Sequence, residues 1–151
     1  MMKKMLMLQV KDSIFNVMET MFYFTVEEKK QNVSDLFSLF DRNSLKACAI
    51  KFSGTFSGTI FLLIPLNVLT AMTHNFLGQD SDHISEAHTD GTLTEALNMI
   101  AGEALTKLDA KSYIGLGIPE LIDPATISPD DTAVVFNTKK GMIASFILLD
   151  E

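Results

Sequence analysis

Two pairs of short apolar runs, each closed by a glycine-bearing connection, constrain this chain more than any other feature. Residues 45–53 and 58–64 flank Gly54-Thr55-Phe56-Ser57-Gly58, whose glycines can supply the positive φ angles of a tight connection. Residues 132–137 and 142–149 flank Thr138-Lys139-Lys140-Gly141 and read as a terminal hairpin. Pro65 stops the second run, because it cannot donate to a sheet ladder. Hairpins of this kind build an antiparallel sheet.

Helical spacing occupies the rest of the pattern. Val10, Ile14, Val17, Met18, Met21 and Phe22 form one stripe, which predicts a helix over about residues 10–24 with a Met- and Phe-rich buried face. The polar patch 27–32 ends it, and 34–42 stays open between a short helix and a loop. Val68, Leu69, Met72 and Phe76 predict a helix over 66–77 that closes at Gly78. A polar linker over 79–91 precedes a second long helix at about 92–110, and 113–116 reads as a strand approaching Pro119. Three of the four prolines lie between there and Asp131, so that stretch is expected to be irregular. The sum is an α/β sandwich, long helices on a mostly antiparallel sheet, in one domain spanning 1–151.

Composition narrows the function classes. With 47% hydrophobic and 21% charged residues, the chain buries a core. A net charge of −7 repels phosphodiester backbones and anionic membrane surfaces, so neither nucleic acid nor membrane is an expected partner. The start carries two lysines and then apolar residues, but Gln9 and Lys11 break the run before a signal core is reached. The run 60–65 is far below the ~20 residues of a membrane span. Cys48, the single cysteine, sits in an apolar run and fits a reduced compartment. A cytoplasmic location is expected.

The second long helix carries the chemistry. At about 100° per residue, Leu93, Leu97, Ile100, Ala101, Ala104 and Leu108 fall within roughly 100° of arc and form the buried face. Glu95, Asn98 and Gly102 project together on another arc, so a carboxylate and a carboxamide stand one turn apart, facing outward. Glycine inside a helix costs about 1 kcal/mol relative to alanine; Gly102 therefore points either to close approach of a partner or to tight helix packing. Thr92-x-x-Glu95 also matches a capping box, with Thr92 as the cap, and Asn98 also reads as an ordinary solvated residue.

Glu95-x-x-Asn98, followed by Met99, Ile100, Gly102 and later Pro119, is similar to the signature of the CheC/CheX/FliY phosphatases. The segment from Phe52 through Gly54 and Gly58 to Leu62 resembles that family's first strand pair, and the likeness extends over about 10–149. The resemblance, closest to CheX, implies a CheC-like two-layer sandwich and an enzyme that hydrolyses the aspartyl phosphate of a CheY-like response regulator in chemotaxis or two-component signalling. It implies that Asn98 orients the attacking water, that Glu95 pairs with a lysine of the regulator, and that Gly102 lies at the docking surface. No cofactor of the chain's own is implied; the Mg²⁺ belongs to the regulator. Ser13-x-x-Asn16 on the first helix lacks the carboxylate, so one site per chain is expected, together with a homodimer made through sheet edges. Two places depart from the family pattern: Gly91, four residues before Glu95, and a 20-residue gap from Asn98 to Pro119.

Other polar groups read more simply. The segment 80–90, with Asp80, Asp82, His83, Glu86, His88 and Asp90, contains metal-ligand types but matches no ligand spacing and reads as a solvated acidic linker. His74 reads as a surface or partly buried histidine, Cys48 as core and Lys139-Lys140 as turn solubility. No phosphate loop or nucleophile elbow occurs. Two other readings remain: a non-catalytic binding or scaffold module of the same fold, and an unrelated α/β domain with a coincidental Glu-x-x-Asn.

Overall fold

The computed structural model describes residues 2–29, 40–41, 43–78, 81–108, 114–128 and 133–150. Among these residues, three α-helices, α1 (Met2–Met21), α2 (Leu66–Leu77) and α3 (Glu86–Leu108), accompany strands β1 (Glu27–Lys29), β2 (Leu45–Gly54), β3 (Gly58–Pro65), β4 (Ile114–Leu116), β5 (Glu120–Ile122), β6 (Val134–Asn137) and β7 (Met142–Leu149). The sheet runs β1-β6-β7-β3-β2-β4, with β5 also against β2, and every pairing is antiparallel. The fold is the expected α/β one, and both sequence-read hairpins are present. Of the expected 113–116 and 132–137 strands, Tyr113 and Thr132 lie outside the described residues, as do 34–39 and Arg42.

Burial on both faces explains why the central strands read as continuous apolar runs. Cys48, Ile50 and Phe52 of β2, Ile60, Leu62 and Ile64 of β3, and Ile143 and Ile147 of β7 join the helices' core. Ala47, Leu63, Ala144 and Phe146 face the other way and meet Phe40 and Ile127. On that side the Phe61 and Phe146 rings stack 4.6 Å apart. Gly58 has no room for a side chain: a Cβ would lie 2.5 Å from the Leu148 carbonyl oxygen.

Both long helices begin earlier than the spacing predicts. In α1 the buried stripe extends back through Leu6 and Met7, while Gln9 and Lys11 lie half-buried at its margin, Lys11 pairing with Glu28 at 3.0 Å. The break in the apolar run is therefore the helix's wet side. α1 ends short of Phe24, because Tyr23 turns to φ 59 and the Phe24 N–H returns to the Met18 carbonyl, a left-handed helix stop. α3 takes in half of the expected 79–91 linker. Its start is a reciprocal cap in which the His88 N–H donates to Ser85 Oγ and the Ser85 N–H donates to His88 Nδ1. The stretch before Asp131 is less irregular than expected, since β5 and a 3₁₀ turn at Pro124–Thr126 occupy part of it.

Candidate functional site

α3 lies against α1 on one flank and beside the β4–β5 edge on the other. Leu93, Ala96, Leu97, Ile100, Ala101 and Ala104 seal its inner face. Glu95 and Asn98 are both exposed, and among the described residues neither side chain has a hydrogen-bond or ion-pair partner. Spaced i, i+3 on one helix, their Cβ atoms stand about 5–6 Å apart. The carboxylate and the amide therefore reach the same external object.

The capping role considered for Glu95 does not hold. Thr92 is inside α3, buried, with its hydroxyl donating to the His88 carbonyl at 3.0 Å and lying 2.9 Å from Thr73 Oγ1. Glu95 is nearly three turns beyond the true cap at Ser85, so nothing in helix initiation requires a carboxylate there.

Gly102 is half-buried, and a Cβ built on it would meet only Leu116 Cδ1, at 3.8 Å. That is ordinary van der Waals distance, so packing within the chain does not demand glycine. Gly102→Ala is accordingly expected to stabilise the fold by about 0.5–1 kcal/mol, read as a raised midpoint in thermal or urea unfolding. A midpoint lowered instead would show that the helix flank tolerates nothing larger than hydrogen.

The first helix offers no second site. Ser13 is buried, so a carboxylate in its place would be sealed in the core. The Asn16 amide donates to both carboxylate oxygens of Glu103, at 3.0 and 3.1 Å, and Lys107 pairs with Glu103 at 2.8 Å. Burial works against the charge on Glu103, but hydrogen bonds from Lys107 and Asn16 outweigh it and hold the carboxyl below its usual range. Asn16 is thus a strut between α1 and α3.

Several of the remaining polar candidates have structural occupations, and Asp80 lies outside the described residues. Lys46 bridges Asp90 at 3.1 Å and Glu86 at 3.5 Å, and His88 serves the α3 cap. Among the described residues no group of three or more acidic, histidine or cysteine side chains is placed to hold a metal. Cys48 is buried against the Leu93 carbonyl, and burial pushes its thiol far up. His74 lines an open cleft of about 790 Å³ with Asn67, Asp82 and Lys140, away from Glu95 and Asn98. No described helix is long and apolar enough to cross a membrane.

Sequence reasoning found the strand at 114–116 but missed β5 and the apolar edge that the two strands form beside α3. Leu116, Ile118 and Leu121 stand exposed there, and Ile118 is 84% accessible. The available signal was a large apolar residue held between Gly117 and Pro119, where no core periodicity accounts for it.

The architecture is that of CheC-like proteins. A CheX from Desulfovibrio desulfuricans superposes with a TM-score of 0.74 at 21% identity, covering 96% of this chain and 99% of that one. A CheX from Vibrio vulnificus gives 0.73 at 17% identity, covering 93% of each. The CheX of Borrelia burgdorferi, solved in complex with CheY, BeF3 and Mg²⁺, gives 0.71 at 19% identity over 95% of this chain and 96% of that one. The chain belongs to the CheX family: the family model for chemotaxis phosphatase CheX matches residues 47–137, a span that contains Glu95, Asn98, Gly102 and Pro119. No curated protein matches the sequence.

Proposed function

We propose that this chain is a phosphatase acting on the aspartyl phosphate of a CheY-like response regulator in the cytoplasm. The observation that carries this reading is a carboxamide, Asn98, standing beside a carboxylate, Glu95, on the outer face of α3 in a CheX-family chain, both without a partner among the described residues. Asn98 accepts a hydrogen bond from a water and aims its oxygen at the regulator's phosphorus. The water oxygen bonds to phosphorus as the acyl oxygen leaves, giving the regulator's carboxylate and inorganic phosphate. Phosphoryl transfer of this kind needs positioning and charge neutralisation more than covalent help. A neutral amide positions water without adding negative charge beside an anionic centre. The neutralising Mg²⁺ is the regulator's own, and Glu95 orients the docked pair through a cation of the regulator. A homodimer through a sheet edge is part of the same proposal.

The test is the decay of a phosphorylated CheY-like regulator with and without the chain. Catalytic amounts are expected to shorten the phosphate's lifetime. Glu95→Ala is expected to raise KM about fivefold or more, with a smaller effect at saturation, since it removes a docking charge. A chain that binds the regulator and leaves the lifetime unchanged would select the scaffold reading.

A further inference from the structure

The edge strand next to α3 is built in a way that suits one kind of contact and discourages another. β2 pairs with β4 through Phe52↔Leu116 and with β5 through Ala49↔Glu120. Two residues of β2, Ile50 and Lys51, therefore face three of the edge, Gly117, Ile118 and Pro119. This is a one-residue bulge, closed by the Gly117 N–H donating to the Lys51 carbonyl at 2.7 Å. The bulge and the proline blunt the edge against addition of another strand. A second copy pairing its sheet here would find the ladder broken in the middle.

The same segment is nonetheless apolar on the α3 side. Directly paired residues share a sheet face; Leu116 opposes Phe52 and Leu121 opposes Cys48, and both of those belong to the helix-side core. Leu116 and Leu121 thus face α3 at 36% and 46% exposure, with Ile118 at the bulge between them. Leu116 reaches under Gly102, one turn from Asn98. The ledge and the amide belong to one continuous surface.

Resting on the reading of Asn98 and Glu95 given above, we infer that the Leu116–Ile118–Leu121 ledge is the docking surface for the response regulator, taking an apolar side chain of the regulator flanked by cations. Size makes such a surface necessary. A specific protein contact covers on the order of 800 Å² per partner, and two side chains on one helix supply a small part of that. Position selects the ledge over the α1 flank, where Asn16, Glu103 and Lys107 are bound to one another. Charge completes the match: exposed Glu95 and Asp123 border the ledge and favour a basic rim on the partner. A buried aliphatic anchor inside a polar rim is the usual form of an interface hot spot.

The experiment uses a CheY-like receiver domain activated with beryllofluoride and Mg²⁺ for binding, and the phosphorylated domain for turnover. Ile118→Asp is expected to weaken binding and raise KM at least about tenfold, with turnover at saturation and the melting temperature unchanged, while Ile118→Leu keeps wild-type affinity. Unchanged affinity in Ile118→Asp overturns the ledge even where wild type hydrolyses the phosphate. A wild type that binds without hydrolysing, and loses binding on Ile118→Asp, upholds the ledge and removes the phosphatase reading. Failure of wild type to bind any receiver overturns both. Conversion of a dimer to a monomer by Ile118→Asp in light scattering assigns the ledge to a second copy and overturns its role toward the regulator.

Discussion

Replacing Asn98 by alanine is expected to return the decay of the regulator's acyl phosphate nearly to its unassisted rate. The loss in kcat is set by what the amide does. A group that positions a nucleophile in the transition state is worth about 10²-fold or more, and on this helix no second amide is available to replace it. Affinity should change little, because the ledge and Glu95 remain. The melting temperature should shift by no more than about 2 °C, since exposed substitutions stay within about 0.5 kcal/mol and alanine is the better helix former. A stopped-flow or fluorescence decay of the phosphorylated regulator gives the rate, and a binding titration in the same buffer gives the affinity. Equal decay with wild type and Asn98→Ala would remove the enzymatic claim.

The neighbouring position should give the opposite result. Leu97 is 0% exposed and packs in the core between α3 and the sheet. Leu97→Ala is expected to cost about 2–5 kcal/mol, from lost transfer energy and the cavity left behind. In a chain of this size that lowers the melting temperature by about 5–15 °C. At a temperature where the variant is fully folded, its turnover should stay within a few-fold of wild type, because Asn98 keeps its place on an intact helix. Denaturant unfolding measures the first effect and phosphate decay the second. A loss below 1 kcal/mol would mean that α3 is not packed through this face. Two adjacent residues, one carrying stability and one carrying chemistry, test both sides of the helix.

Much of this was legible in the sequence where the encoding is local. The 66–77 helix and its Gly78 stop were read at their true bounds, because apolar spacing, Pro65 before it and a left-handed glycine (φ 68) after it all act within one segment. The inner face of α3 was legible for the same reason: period decides which residues point inward, whatever they pack against. Errors fell where a local cue competed with a distant one. Thr92 looked like a cap because threonine precedes an apolar run. It is interior because α2 supplies Thr73 as a partner for its hydroxyl, and because Ser85 and His88 start the helix earlier. Asn16 gave no sign of being spoken for, since Glu103 lies 87 positions away.

By itself, then, the amino-acid order determined the two hairpins, the inward stripe of each helix, and the placing of an acid and an amide on the outer side of α3. Those follow from backbone periods of 3.6 and 2, which every segment carries within itself. Only the assembled sheet decided what stands next to that pair. β4 and β5 join β2 across 60 or more positions of chain, and their bulge presents Ile118 to solvent. No local pattern specifies such a neighbour, because strand partners far apart in sequence are chosen by how whole faces bury together.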